Sequence, residues 1–220
     1  MKPKVFITRK LEGKALEKLQ ANCDVTMWQE EEIPVPRDVL MEQVRDVDGL
    51  LCMLTENIDQ EVFEVAEHLK VVSNLAVGYN NIDTEVAKKK GIVVTNTPEV
   101  LTETTADLTF ALLMATARRI VEANNYLKDG EWKSWSPMQL TGQDIHGATL
   151  GIIGLGRIGA AVARRACGFN MQVIYHNRSR KQQLEEELGA FYVGLDELLK
   201  QSDFVCGMAP YRGDTHHLID

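Results

Sequence analysis

Short apolar runs alternate with amphipathic stretches along most of the chain. The runs Lys4–Thr8, Gly49–Leu54 and Val71–Leu75 have the length and composition of buried strands, and stretches such as Asp59–Glu67 carry apolar residues at helical spacing. Strands that alternate with helices in this way predict a parallel sheet covered by helices on both faces. We therefore predict an α/β protein.

The same pattern predicts two βα domains. Residues 1–98 alternate strands and helices until Pro98 interrupts the pattern, and residues 99–220 resume it after a long helix. The second domain reads as a doubly wound parallel sheet. It has room for about four strands after Thr149, whereas a complete domain of this kind commonly has about six. We therefore expect the second sheet to be incomplete and its last strand to be an exposed edge.

The longest predicted helix, Thr102–Ile120, is apolar nearly all round, and Thr102 is a plausible N-cap. Such a helix is typical of an element buried on several sides. We interpret it as a link between the domains and as a subunit contact, with a core helix of a monomer as the alternative.

A glycine pattern follows the apolar strand Thr149–Ile153. Gly154, Gly156 and Gly159 form G-x-G-x-x-G and lead into residues suited to a helix. In a dinucleotide site the three glycines permit the turn, the approach of a pyrophosphate and close packing of helix on strand. The helix N-terminus then faces the phosphates. The sequence predicts such a site here, with a purely structural turn as the alternative.

The end of the next strand indicates which dinucleotide binds. An NAD site has an acidic residue there, about 20 residues beyond the first glycines. This chain has no Asp or Glu between Leu155 and Leu184 and carries Arg178, Ser179 and Arg180 instead. Guanidinium groups and a hydroxyl can hold a ribose 2′-phosphate. We predict NADP(H), with NAD(H) as the alternative cofactor and a solvated basic helix start as the alternative reading.

Composition and charge exclude several classes of protein. The net charge of −8 argues against a general nucleic-acid or anionic-membrane surface. No apolar run is long enough to span a membrane, and the N-terminus does not resemble a signal peptide. The cysteines are scattered and fit reduced thiols better than a disulfide framework or a metal site. We therefore predict a cytoplasmic protein that binds no metal, no nucleic acid and no membrane.

Several further segments resemble those of the D-isomer-specific 2-hydroxyacid dehydrogenase family. They are LAVGYNNID at Leu75–Asp83, VTNTP at Val94–Pro98 and TADL at Thr105–Leu108, followed by the glycine pattern. The NRSR segment at Asn177–Arg180 and the loop Trp135–Gly142 are most similar to the glyoxylate/hydroxypyruvate reductase branch. This resemblance implies NADPH-dependent reduction of a small 2-oxo acid to the 2-hydroxy acid.

The resemblance also implies an architecture and a set of site residues. Residues 1–98 would be the N-terminal part of a flavodoxin-like substrate domain, residues 99–220 a Rossmann coenzyme domain, and the protein a homodimer through the coenzyme domain. Substrate would bind at Leu54 and at the backbone N–H groups of Val77 and Gly78, which form an anion nest. The implied cofactor residues are Thr105, Gly154, Leu155, Gly156, Arg157, Ile158, Gly159, Asn177, Arg178, Ser179, Arg180, Ala209 and Pro210.

No catalytic residue is assigned within the chain. The resemblance places the family's catalytic Arg, Glu and His on segments after the fourth coenzyme-domain strand, and this chain stops at Asp220. We therefore expect a truncated form of a longer reductase with very low turnover. The alternatives are another D-2-hydroxyacid dehydrogenase, acting on D-lactate or phosphoglycerate, and a non-catalytic dinucleotide-binding protein.

Overall fold

The computed structural model describes residues 1–211, 213 and 215–218; the chain end at Asp220 lies outside the described residues. The chain divides into two compact units, Met1–Glu99 and Val100–Asp220. Each unit is built on its own parallel sheet. The prediction of an α/β protein with parallel sheets is confirmed.

The first unit contains a five-stranded sheet in the order β2-β1-β3-β4-β5. Its strands are β1 (Lys4–Ile7), β2 (Asp24–Met27), β3 (Gly49–Cys52), β4 (Val71–Asn74) and β5 (Val93–Thr95). Its helices are α1 (Lys14–Asn22), α2 (Arg37–Gln43), α3 (Gln60–Val65) and α4 (Thr84–Lys89), with a 3-10 turn at Val44–Asp46.

Two aspartates set where helices begin in this unit. The carboxylate of Asp59 accepts the N–H of Val62 and starts α3, and Asp83 accepts the N–H of Val86 and starts α4. One face of the sheet is covered by a core that includes Phe6, which is buried with the apolar residues of α3. The carboxyl ends of all five strands meet at one edge of the sheet, and the loops that follow β3 and β4 lie there.

The second unit contains a four-stranded sheet in the order β8-β7-β6-β9. Its strands are β6 (Thr149–Ile153), β7 (Gln172–His176), β8 (Phe191–Tyr192) and β9 (Phe204–Gly207). Its helices are α5 (Thr102–Ala117), α6 (Ile120–Lys128), α7 (Arg157–Cys167), α8 (Gln182–Leu188) and α9 (Leu195–Gln201). Within the described residues, strand β9 lies at one edge of this sheet.

The prediction of one helix from Thr102 to Ile120 is wrong in its cap and in its end. Leu101 is the N-cap, because its carbonyl accepts the first intrahelical bond, from Thr105. The helix stops at Ala117, whose carbonyl accepts the N–H of Gln143 from a distant loop. The backbone then turns through left-handed Arg119 (φ 52°) into α6, a helix that the sequence pattern did not reveal.

In the single chain, this helix is buried along one side, and its predicted burial on further sides by a subunit contact stays a prediction. Its buried residues are Ala106, Phe110, Leu113 and Ala117, which follow one helical stripe, and α5 packs against α7. Among its other residues, Leu108 is 60% exposed and Leu112 is 58% exposed. Because α5 is apolar nearly all round, it has one apolar side packed in the core and a second apolar side at the surface.

Among the described residues, no helix has both the length and the apolar character needed to cross a membrane. The cysteines Cys23, Cys52, Cys167 and Cys206 are free thiols. Burial raises the pKa of the Cys52 thiol to about 12, so it stays protonated.

Candidate functional site

The turn between β6 and α7 has no room for side chains at two of its glycines. Gly154 has a positive φ of 105°, and a Cβ there would lie 2.6 Å from the backbone nitrogen of Ala209. A Cβ on Gly159 would collide with the carbonyl oxygen of Gly154. Helix α7 can therefore begin directly against the end of β6, as the glycine pattern predicts.

Gly156 has free space where a side chain would lie, whereas Gly154 and Gly159 have none. It is the N-cap of α7, and a Cβ built on it meets nothing within 4 Å. Gly156 has no side chain that could cap the helix, and the positive end of the helix dipole lies at this turn. A pyrophosphate can approach the backbone at this position.

A pocket of about 370 Å³ opens beside this turn, at the carboxyl ends of β6, β7 and β9. It brings together most of the cofactor residues that the sequence indicates, namely Gly154, Leu155, Gly156, Asn177, Arg178, Ser179, Ala209 and Pro210. Its lining also includes residues that were not assigned to the site, namely Ile153, His176, Lys181, Met208, Thr215 and Leu218. No carboxylate belongs to the lining that the structure describes.

The basic loop after β7 is held at both ends by side-chain hydrogen bonds. Asn177 holds it, because its Oδ1 accepts the N–H of Leu155 at 2.7 Å and so ties the loop to the glycine turn. Arg180 is placed outside the pocket lining, with its Nε and Nη2 bound to Glu185 at 2.7–3.0 Å. Arg178 and Ser179 lie between these two anchors and line the pocket.

A buried tyrosine completes the anchor at the far end of this loop. The hydroxyl of Tyr175 donates to Glu185 at 2.6 Å and accepts the N–H of Lys181 at 2.7 Å. The hydrogen bonds from Arg180 and Tyr175 hold the pKa of the Glu185 carboxyl below its usual value. Sequence reasoning missed this arrangement. The available signal was a tyrosine in a buried strand, where its hydroxyl needs a partner.

Four of the remaining cofactor candidates lie outside the pocket lining. Thr105 is within α5, where its carbonyl accepts the hydroxyl of Thr109 at 2.8 Å. Arg157 and Ile158 are the first residues of α7, and Gly159 packs against the turn below. Arg157, Ile158 and Gly159 thus form the start of α7 and its packing, whereas Thr105 lies in α5.

In the first unit, the three substrate candidates lie together at the carboxyl edge of the sheet. A Cβ on Gly78 would lie 3.6 Å from Leu54 Cδ2, so the loops after β3 and β4 meet here. Leu54 is 54% exposed and Val77 is 36% exposed. Apolar side chains and an accessible backbone thus share one surface.

The backbone at Val77 and Gly78 is held by its carbonyl groups. Nδ2 of Asn96 donates to the Val77 carbonyl at 2.8 Å, and Nδ2 of buried Asn74 donates to the Gly78 carbonyl at 2.8 Å. The N–H groups of Val77 and Gly78 donate to no residue in the part of the chain that the structure describes. Adjacent N–H groups of this kind are a site for an anion such as a carboxylate.

A buried carboxylate supports this surface from below. Glu56 is 4% exposed, and its Oε2 accepts the Thr8 hydroxyl at 2.6 Å and the Met53 N–H at 2.7 Å. Asn81 joins the two loops, because its Nδ2 donates to the carbonyls of Met53 and Glu56 at 2.9 Å. None of these residues was identified from the sequence, where only unexpectedly buried polar side chains could have indicated them.

Two of the histidines have structural contacts. His146 contacts the Asn170 amide at 3.1 Å, and His176 contacts the Val193 carbonyl at 3.1 Å. The described residues contain no group of His, Cys, Asp and Glu that could hold a metal ion.

The glycine turn, the helix start and the basic pocket define a dinucleotide-binding α/β protein. The family model described as "D-isomer specific 2-hydroxyacid dehydrogenase, catalytic domain" matches residues 5–149, and the corresponding "NAD binding domain" matches residues 110–220. The chain belongs to the D-isomer-specific 2-hydroxyacid dehydrogenase family, whose members are NAD(P)-dependent oxidoreductases.

Individual relatives agree with this assignment. The chain is 51% identical to a protein of Thermococcus onnurineus named glyoxylate reductase, and the match covers 100% of this chain and 67% of the relative. It resembles a solved structure from Thermus thermophilus with a TM-score of 0.88 and 44% identity, over 98% of this chain and 67% of the other. A solved NADPH-dependent glyoxylate/hydroxypyruvate reductase of Sinorhizobium meliloti matches with a TM-score of 0.76 and 31% identity, over 94% and 64%. The chain thus spans about two thirds of these relatives.

Because a side chain at Gly156 would contact no protein atom, a substitution there should change the affinity for the dinucleotide without changing the thermal stability. We expect Gly156→Ala to weaken the binding of a nicotinamide dinucleotide at least about tenfold, because its methyl group would lie where a pyrophosphate can approach the turn. The Tm should change by less than about 2 °C, since the methyl group meets no protein atom. Fluorescence titration and thermal unfolding measure the two effects.

Gly194→Ala is the matched control. Gly194 is also a helix N-cap with nothing near a built Cβ, and it lies outside the pocket lining. Unchanged NADPH affinity in Gly156→Ala, or a loss that Gly194→Ala shares, would contradict the assignment of this turn.

Proposed function

We propose that this chain is the coenzyme-binding and carboxylate-binding part of an NADPH-dependent reductase of glyoxylate or hydroxypyruvate. The observation that carries the proposal is the basic pocket beside the open helix start at Gly156. When bound, NADPH supplies a hydride to C2 of the 2-oxo acid. The residues of this chain bind and orient the two reactants.

The preference for NADP(H) is supported by the charges around the pocket. Arg178 and Lys181 are cationic, Ser179 offers a hydroxyl, and the described lining contains no carboxylate. A 2′-phosphate is stabilised by such a corner, whereas a 2′-hydroxyl finds no acidic partner. Arg178 and Ser179 line the pocket and are the phosphate ligands in this proposal, whereas Arg180 lies outside the lining and binds Glu185. The Sinorhizobium meliloti relative is named as NADPH-dependent.

The choice of a small 2-oxo acid is supported by the surface of the first unit. The N–H groups of Val77 and Gly78 suit a substrate carboxylate, and Leu54 limits the space beside them. The relative from Thermococcus onnurineus is named glyoxylate reductase. We assign no proton donor among the described residues, where His146 and His176 have the contacts given above.

A homodimer through the second unit is part of the proposal. The exposed apolar side of α5 is accompanied by other exposed apolar side chains, namely Ile120, Val121, Leu127, Trp132, Trp135 and Met138. Aromatic residues and methionine are enriched at protein interfaces, and exposed apolar patches mark them. The free thiols are compatible with the cytoplasm, where we place the protein.

Substitution at the basic corner tests the cofactor preference. We expect Arg178→Gln to raise the Kd for NADPH about tenfold or more, because it removes a charged contact with the 2′-phosphate, while the Kd for NADH changes less than about twofold. Arg180→Gln removes the same charge outside the pocket lining, so it serves as the comparison and should have a smaller effect. Tighter binding of NADH than NADPH by the parent would contradict the proposal.

Turnover by the 220-residue protein is expected to be very low with glyoxylate and hydroxypyruvate, although NADPH binds. The physical reason is that none of the residues described by the structure is assigned to protonate the forming alkoxide. A steady-state assay of NADPH oxidation measures this. A rate in the ordinary enzyme range of about 1–1000 per second would show that the chain contains its own proton donor.

A charge on the apolar side of α5 should separate the subunits. We expect the parent to have about twice the chain mass of 24.7 kDa in light-scattering measurements, and Leu112→Glu to have the monomer mass. Leu199→Glu, at a 49% exposed position in α9, is the control and should stay dimeric. A monomeric parent would refute the dimer.

A further inference from the structure

The segment after β5 holds two successive carbonyl groups of the loop after β4. The backbone N–H of Thr97 donates to the Ala76 carbonyl at 2.9 Å. The side-chain amide of Asn96 donates to the Val77 carbonyl at 2.8 Å. Two neighbouring peptide groups are therefore fixed by the same segment, one by backbone and one by a side chain.

Because the peptide group is planar, these two contacts also fix the directions in which the Val77 and Gly78 N–H groups point. In a planar trans peptide the C=O and the following N–H point in opposite directions. Fixing the Ala76 carbonyl therefore directs the Val77 N–H away from Thr97, and fixing the Val77 carbonyl directs the Gly78 N–H away from Asn96. Both donors point away from the segment after β5, where no described residue accepts them.

We propose that Asn96 is a positioning residue for substrate binding, which orients the Gly78 N–H toward the substrate carboxylate by holding the Val77 carbonyl. The inference rests on the proposed function of the Val77–Gly78 surface. It assigns Asn96 no contact with substrate. The two donors can be tested separately, because the Val77 N–H is oriented by the Thr97 backbone, whereas the Gly78 N–H is oriented by the Asn96 side chain, which can be substituted.

The surroundings of Asn96 favour this role over general support of the fold. Asn96 is only partly buried, and its amide donates to the Val77 carbonyl near the surface. Asn74, which holds the next carbonyl, is 1% exposed and also donates to Asn81 at 3.1 Å. Loss of Asn74 would disturb buried polar groups, whereas loss of Asn96 removes a hydrogen bond that water can replace.

The test is a titration of the ¹⁵N-labelled 220-residue protein with sodium glycolate, with sodium chloride at equal ionic strength as the reference. Backbone amide resonances report each N–H separately, and they do not require turnover. The variant is Asn96→Leu, which keeps the approximate size of the side chain and removes the donor. Asn57→Leu is the matched control, because Asn57 is an exposed amide in the same unit whose side chain donates to Asp59.

In the parent and in Asn57→Leu, we expect the Val77 and Gly78 amides to shift together on addition of glycolate. In Asn96→Leu, the Gly78 amide should lose most of its response, the Val77 amide should keep its response, and glycolate should bind about fivefold more weakly. Unchanged resonances in β1 and β3 show that the variant is folded.

The outcomes separate the inference from the proposed function. If neither amide of the parent responds to glycolate, the Val77–Gly78 surface does not bind the carboxylate and the proposed function fails at this point. If the parent responds and Asn96→Leu responds identically at Gly78, the positioning role is wrong while the binding surface stands. Equal loss at Val77 and Gly78 would also overturn the role, because it indicates a general disturbance of the loop.

Discussion

The coenzyme-binding unit depends on a backbone contact that is too close for side chains. Strand β6 and helix α7 meet at Gly154 and Gly159. A methyl group on Gly154 would collide with the backbone of the segment after β9, and one on Gly159 would collide with the carbonyl oxygen of Gly154. This contact places the start of α7 at the carboxyl edge of the sheet. The pocket, the open position at Gly156 and the basic loop after β7 all take their places from it.

In the proposed function, both units bind anions through backbone N–H groups, and side-chain amides hold the backbone near these groups. Asn177 ties the glycine turn to the basic loop in the second unit. Asn96 and Asn74 hold the carbonyls of Val77 and Gly78 in the first. Fixing the carbonyl side of a peptide orients its N–H in advance, so less ordering is needed when the anion binds. In the first unit, the carbonyl contacts therefore orient the proposed donors before the anion binds.

The sequence predicted those features that depend on local pattern. Apolar runs located the strands, and the spacing of Gly154, Gly156 and Gly159 located the turn. Features that depend on distant partners were not predictable. The end of α5 is set by Gln143, and the role of Arg180 is set by Glu185 and by buried Tyr175. The sequence of a basic run does not show which of its guanidinium groups binds a carboxylate and which lines a pocket.

A crystal structure of the 220-residue protein with NADPH bound would test the proposed cofactor site most directly. We expect the pyrophosphate to lie over Gly156 at the start of α7 and the 2′-phosphate to lie between Arg178 and Ser179, with Arg180 still bound to Glu185. A bound dinucleotide whose 2′-phosphate lies away from Arg178 and Ser179 would contradict the proposed preference for NADP(H).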